Sequence, residues 1–516
     1  MAEKNMLFMG VDMGTSGCKA VVFDERFRVV SEAFREYPFA PAGDGSLELD
    51  AEAVWLAIED SIREANGGAR DASSGADGVR ALSISAIGDV IIPLDGSGKP
   101  TRNAIVDFDR RGQKELDGFV SGFGEERFFG LTGMPPLYIG SLAKMLWIRE
   151  NEPHIFERTR RWATFEDFIA GRLGCEPCVS YSEAARTMCF DIREKKWAAG
   201  ILAGAQADEK AFARPVASGT ALGSLGPAAA GALGFTGKAK IVSGGHDMVC
   251  AAIGAGLDED DPGTAIDIAG TIEGIVATMK DANTSAPMLE NRLPCYPGMD
   301  NYVTFSVNLS AGGIFRWMRD NIAEGIYSAS KRQGRSFASD ILSKLDENEP
   351  GDLFVIPHFS GSGTPRFDPD ALGCLYGLKL DTDKRDIARA IEESLMYELR
   401  LHLGCLEKAG IRVEALRACG GGAGSDNKLQ MKSNITGLPI IKSPISESSA
   451  MGAAACAAMS EGIVGNPAHA YAMIKGEEKV FEPDAAAGER FSGAFERYAR
   501  LADAVKAYEA NNLEIR

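Results

Sequence analysis

Apolar and polar positions follow two periods along this chain. Over residues 6–24, two short apolar runs, LFMGVDM and CKAVVFD, flank Gly14-Thr15-Ser16-Gly17, and this predicts a β-hairpin. ALSISAIGDVIIPLD, starting at Ala81, predicts two strands with a polar joint at Gly88-Asp89. Apolar residues recur at helical spacing over Ser141–Glu150, Ala163–Leu173 and Asp386–Ala409. Residues 208–240 are rich in Gly, Ala and Pro and predict loops and short turns. AKIVSGGHD then predicts a strand that runs into an alanine-rich helix. The second half repeats this order. TAIDIAGTIEGIVAT predicts a strand, a turn at Gly270-Thr271 and another strand; helices follow, then a strand ending in the glycines of RACGGGAGSDN. A last alanine-rich helix is predicted over Ser449–Glu461. Alternating strands and helices define an α/β class. The polar stretch GAGLDEDDPG sets a lobe boundary near 255–262, with lobes over 1–257 and 258–516.

The two turns stand almost half a chain apart, and each follows an aspartate, Asp12 or Asp267. A strand, a tight Gly/Thr turn and a second strand expose backbone N–H groups that bind phosphate oxygens. In the first turn, the amides and the Thr15 and Ser16 hydroxyls suit β- and γ-phosphate, Asp12 suits Mg²⁺, and Lys19 suits phosphate charge. An ordinary hairpin turn is the alternative; the repeat at Gly270-Thr271 favours two lobes gripping one polyphosphate, which points to ATP.

A chain of 516 residues holds two or three domains, and 25% charged with 45% apolar residues is the balance of a soluble globular protein. The formal net charge of −18 argues against nucleic acid or an anionic membrane as partner. No apolar run approaches the ~20 residues of a membrane span. A strand begins almost at the N-terminus, so no signal peptide is expected, and ten scattered cysteines read as thiols of a reducing cytoplasm. Cys175-Glu-Pro-Cys178 has no second pair nearby and reads as structural.

Other motifs carry two readings each. Asp247, in Gly244-Gly245-His246-Asp247, is placed to cap a helix or to take a proton from a substrate hydroxyl at a helix start. Gly420–Gly422, followed by Ser425, Asp426 and Asn427, allows close approach of a ring or phosphate, or forms a flexible turn. Asp107-Phe108-Asp109-Arg110-Arg111 offers acceptors and donors to a polyol, or is a solvated loop; Asp89 is a pocket or turn residue.

The set resembles the FGGY family of carbohydrate kinases over nearly the whole chain. The carrying blocks include GVDMGTSGCKAVVFD, AIVDFDRRGQ, YSEAARTMCFDIREKKW, GGHDMVCAAIGAG, SAGGIFRWMRD, GTPRFDPDALGCLYGLKL and CGGGAGSDNKLQMKSNITGLPI. The resemblance implies a two-lobed actin-like, ribonuclease-H-like ATPase fold with sugar and Mg-ATP in a central cleft. It implies Asp247 as general base. It puts Gly14, Thr15, Ser16, Lys19, Gly270, Thr271, Gly312, Gly421, Gly422 and Asp426 at ATP, and Gly88, Asp89, Asp107 and Tyr138 near the sugar. Ile87 and Gly88-Asp89 depart from both the glycerol and the xylulose branches and Asp107 from the glycerol branch, while the His246-Asp247 pair and the SEAARTMCFDI block lean towards fuculose-kinase-like members. The expected partner is a small sugar or polyol, with a homodimer left open. The alternatives are an inactive or regulatory nucleotide-binding homologue and an acceptor-independent ATPase on the same fold.

Overall fold

The computed structural model describes residues 6–41, 46–72 and 78–512. Its first lobe is built on six strands: β1 (Leu7–Met13), β2 (Gly17–Asp24), β3 (Val29–Glu36), β4 (Val79–Ala86), β5 (Ala221–Ser224) and β6 (Lys240–His246), in spatial order β5-β6-β4-β1-β2-β3. β1 and β2 form the predicted hairpin, with Asp12 opposite Lys19, and β1 runs parallel to β4. β1 is a nearly continuous apolar run because both its faces are covered. Met9 and Val11 face Val54, Ile58 and Ile62 of helix α1 (Ala51–Ala72).

The second lobe is built on β7 (Thr264–Ala269), β8 (Glu273–Met279), β9 (Tyr296–Pro297), β10 (Tyr302–Asn308), β11 (Ala415–Gly420), β12 (Ile440–Lys442) and β13 (Lys479–Phe481), in spatial order β9-β10-β8-β7-β11-β12-β13. β7 pairs antiparallel with β8 and parallel with β11, as β1 does with β2 and β4. The two Gly/Thr turns therefore occupy the same topological position in two related sheets.

The helices that shape the site are α2 (Ser141–Asn151), α3 (Tyr181–Arg186), α4 (Asp247–Gly254), α5 (Ala311–Asn321), α6 (Lys384–Lys408), α7 (Asp426–Thr436), α8 (Ser448–Met459) and α9 (Ala485–Asn512). Two of them change sheets. α4 leaves β6 of the first sheet, yet Val249, Ala252 and Ile253 join the core of Ile266, Ile275 and Val276. α8 follows the second sheet's β12, yet Ala450, Met451 and Ala454 pack on Phe8, Val21 and Val242. They cross almost backbone to backbone. A Cβ at Gly452 would lie 1.9 Å from Cys250 O, one at Gly254 1.9 Å from Ser448 O, and one at Gly10 1.7 Å from Ala450 O. The alanine richness of α8 is thus a packing requirement, because larger side chains have no room beneath it.

The sequence reading stops at Ser449–Glu461, but the chain continues into α9, whose Phe491, Ala494 and Tyr498 pack on Tyr397, Met431 and Ile435 of α6 and α7. α1 was likewise not anticipated. Residues 208–240 are short pieces, among them the edge strand β5 and the helix Pro227–Ala232. The ten cysteines are free thiols, and no helix among the described residues is long and apolar enough to cross a membrane.

Candidate active site

Each sheet delivers its chemistry at the ends of its parallel strands. In the second lobe, a cavity of about 940 Å³ opens beside the β7–β8 turn. Gly270 and Thr271 from that turn, Gly312 from the start of α5, and Gly421 and Gly422 after β11 line it. The glycines are there for closeness. Gly312 N donates to Gly270 O at 3.1 Å, and a Cβ at Gly312 would stand 2.4 Å from that oxygen. Gly420 has φ near +80°, and a Cβ there would meet Ala269 O at 2.5 Å. The result is a cradle of bare backbone that suits a flat ring and phosphates.

Lys428, Arg316 and Lys432 also line the cavity, and sequence reasoning missed all three. Lys432 is buried on α7 and donates to Asp267 and, at 2.8 Å, to Glu273. Asp426 does not line the cavity. It is exposed between Lys442 and Lys479, at 2.8 and 2.6 Å, and these bonds hold it down to about 2. Asn427, one residue on, does line the cavity.

The first-lobe turn lies outside that lining. Gly14 N donates to Gly17 O at 3.0 Å, and Tyr37 donates its hydroxyl to Gly14 O and Gly17 O, which fixes the turn. Thr15 is half-buried and Ser16 exposed. Lys19 is held by Glu447 at 2.9 Å and Glu32 at 3.2 Å, so its charge is already matched. Asp12, at the end of β1, accepts from Ser85 Oγ at 2.9 Å. Burial, with Glu447 adding, raises it to about 6 against the pull of Ser85.

Asp247 is the first residue of α4. Its Oδ1 accepts from the Met248 amide at 2.6 Å and lies 3.2 Å from His246 Nε2. The cap and the reactive-group readings therefore coexist, because one oxygen takes the amide and the side chain stays one-third exposed at 32%. Burial first, and the Asp12 charge second, raise Asp247 to about 8. Burial keeps His246 neutral, with its pKa well below the ordinary value. Its Nδ1 lies 3.1 Å from the Tyr296 hydroxyl. With Tyr296 donating to Nδ1, Nε2 carries the proton and faces Asp247.

Gly88 and Asp89 lie alongside. A Cβ at Gly88 would stand 2.6 Å from His246 Cδ2, so this position admits no side chain without moving the imidazole. Asp89 has a left-handed backbone, φ 71°, which turns its carboxylate onto Arg186 of α3. Arg186 is buried and stacks over Phe305 at 5.1 Å. Asp89 Oδ1 and Asp107 Oδ1 are buried without hydrogen-bond partners among the described residues. The rest of the Asp107–Arg111 segment is committed elsewhere. Asp109 pairs with Arg111 at 2.8 Å, and Arg110 reaches across the cleft to Asp370 at 2.6 Å. Tyr138 is pinned by its amide to Gln113 Oε1 at 2.6 Å, and Lys144 of α2 lies 5.6 Å from its ring centroid. Burial lowers Lys144 to about 8. Arg186 and Lys144 also escaped the sequence reading; their signal was charge inside otherwise apolar helical stretches.

A glycine cradle on one sheet and a carboxylate cluster on its topological twin define a two-lobed ATPase of the actin-like fold. A gluconate kinase from Lactobacillus acidophilus shares that fold with a TM-score of 0.85 at 20% identity, covering 97% of this chain and 98% of its own. A xylulose kinase from Bacillus subtilis is 26% identical over 501 residues, 96% of each chain, and a glycerol kinase from Halorhodospira halophila is 27% identical over 501 residues, 93% of each. The N-terminal domain of the FGGY family of carbohydrate kinases matches residues 7–254 and the C-terminal domain matches 267–461. The chain belongs to this family, whose members are phosphotransferases with an alcohol group as acceptor.

Proposed function

We propose that this kinase transfers the γ-phosphoryl of ATP to a hydroxyl of a small ketose or polyol, with Asp247 as general base. The observation that carries this reading is the pairing of a raised, partly open carboxylate at the head of α4 with two unpartnered carboxylate oxygens, on Asp89 and Asp107. Those oxygens are acceptors waiting for hydroxyl donors. Gly88, having no side chain, lets His246 pack close beside them, and Arg186 fixes Asp89. The Met248 amide holds Asp247 Oδ1, His246 Nε2 faces it at 3.2 Å, and the other carboxylate oxygen accepts the acceptor's proton as the new O–P bond forms.

The nucleotide fits the second-lobe cradle, with Gly270, Thr271, Gly312, Gly421 and Gly422 against it and Asn427 beside it. Mg²⁺ fits Asp12, a carboxylate held above its ordinary range and in no ion pair among the described residues, which is the hard oxygen donor a dication takes. When bound it supplies charge neutralisation to the phosphates. Gly14, Thr15 and Ser16 then meet the phosphates from the first lobe as the cleft closes, and closure keeps water from competing as acceptor. Lys19, matched by Glu447 and Glu32, supports the turn and would reach phosphate only by leaving them. The lobes of this reading are 1–257 and 258–516, and the working compartment is the cytoplasm.

The test is a panel of ketoses and polyols with detection of ADP, run on the natural chain and on Asp247→Asn. The variant is expected to melt normally and bind ATP, while turnover on the best acceptor falls by about 10²–10⁴. Near-normal turnover of the variant would remove Asp247 from the chemistry. ATP binding without acceptor-dependent ADP release across the panel would favour a regulatory homologue.

A further inference from the structure

A second large cavity, of about 680 Å³, lies in the second lobe and shares no lining residue with the nucleotide cavity. The C-terminal half of α6 and the facing side of α9 form its walls, and the loop 358–366 closes it. Its floor is apolar, with Leu401, Val413 and Phe495. His358 lines it and is 8% exposed, and its Nδ1 has no hydrogen-bond partner among the described residues. Lys408 of α6 and Lys506 of α9 also line it, and neither is in an ion pair among the described residues. Arg400 adds a third cation, seated 4.5 Å from the Phe495 ring centroid. Glu407 and Asp503 also line the cavity, as does Glu398, which accepts from the Tyr498 hydroxyl and lies 3.8 Å from His358 Nε2. In a chain of net charge −18, a concave site lined by five arginines and lysines against three acids, with one imidazole nitrogen left without a partner among the described residues, is a local reversal of sign.

The loop that closes this cavity is also the far wall of the cleft. Arg366 lines both this cavity and the inter-lobe cavity beside Tyr138. The loop is stiff. Thr364 N donates to Val307 O at 2.9 Å, Thr364 Oγ1 accepts from Val307 N at 3.1 Å, and Ser362 and Asp368 bond each other in both directions. Glu509 of α9 ties it down, accepting from Arg366 at 3.1 Å and from the Leu372 amide at 2.7 Å. Just past it, Pro369 O and Asp370 accept from Arg110 of the other lobe. A displacement of α9 or of the loop therefore reaches a contact between the two lobes.

We infer that this cavity is an effector site for a small phosphorylated metabolite, whose occupancy is felt at the cleft through the loop 358–370. Cations on two helices call for an anion with more than one charge, which a phosphate monoester has and a single carboxylate lacks. The apolar floor and the volume admit a carbon skeleton as well as the phosphate. The effect on turnover rests on the kinase reading; binding at the cavity does not.

The test uses the full chain with saturating ADP, which occupies the nucleotide site, and ribose 5-phosphate, inorganic phosphate and citrate as probes. Ribose 5-phosphate is expected to raise the melting temperature in a saturable way and to bind at least tenfold more tightly than inorganic phosphate. Lys408→Ala with Lys506→Ala should weaken that binding at least tenfold. Asp370→Ala should keep the binding but lose the probe's effect on the acceptor KM. Three outcomes would overturn the proposal: no probe binds, the lysine pair leaves binding unchanged, or citrate binds as tightly as the phosphate ester.

Discussion

Replacing Gly452 by alanine tests the helix exchange directly. The added methyl would lie 1.9 Å from Cys250 O and 2.7 Å from Cys250 C, both backbone atoms that no rotamer change can move. Carbon contacts are comfortable only from about 3.5 Å, so α4 and α8 must part by roughly 1.5 Å. Overpacking of this kind costs about 1–3 kcal/mol. It acts against a gain, because alanine is better than glycine in a helix by about 1 kcal/mol. The matched control is Gly67→Ala on α1, where nothing lies within 4 Å of the new Cβ; this variant should be stabilised by up to about 1 kcal/mol. The catalytic consequence follows from where α4 begins. Parting the helices shifts Asp247 by a distance of the same order, and a ~1 Å misplacement near reacting atoms costs about 10²-fold. Urea unfolding gives the stability difference and ADP release with the best acceptor gives turnover. If Gly452→Ala were as stable as Gly67→Ala and turned over within twofold of the natural chain, the backbone-to-backbone crossing would be wrong.

The remaining predictions concern the carboxylate cluster and the nucleotide cavity. Asp247 is raised to about 8 and accepts a proton only when ionised, so kcat/KM for MgATP should climb with pH through about 8; a flat profile from about pH 6 to 9 would contradict this. Lys432→Met leaves Asp267 and Glu273 buried without their cation and should cost about 3–5 kcal/mol in chemical denaturation; a loss below ~1 kcal/mol would show the triad is dispensable. Gly88→Ala places a methyl against His246 and should raise the acceptor KM while leaving ATP binding, measured by calorimetry, unchanged.

The pattern of short apolar runs and glycine turns made the hairpins legible, because a hairpin is a local object and its turn chemistry is written in adjacent residues. The α/β class followed from alternation for the same reason. The helix exchange was not legible. Nothing in Ser448–Met459 says which sheet it will cover; its alanines report only that something lies close. α9 escaped because its core stripe is carried by Ala487, Phe491, Ala494 and Tyr498 amid many polar positions, and it finds its partners only in three dimensions. In the site, Asp247 was visible as a motif, but its unusual proton affinity comes first from burial in the folded cleft and then from Asp12, more than two hundred residues away in sequence. Arg186 was invisible, since a lone arginine in EAAR reads as an exposed helical charge until Asp89 is folded against it.

The exchanged helices also constrain the order in which this protein is made. When residues 1–257 have left the ribosome, the strands of the first sheet can pair, but the face that carries Phe8, Val21 and Val242 has no cover until Ser448–Met459 arrives nearly two hundred residues later. During that interval α4 is in the opposite position, with its own sheet still unmade. Neither half, cut out alone, is expected to fold, and dependence on chaperones should fall most heavily on the nascent first half.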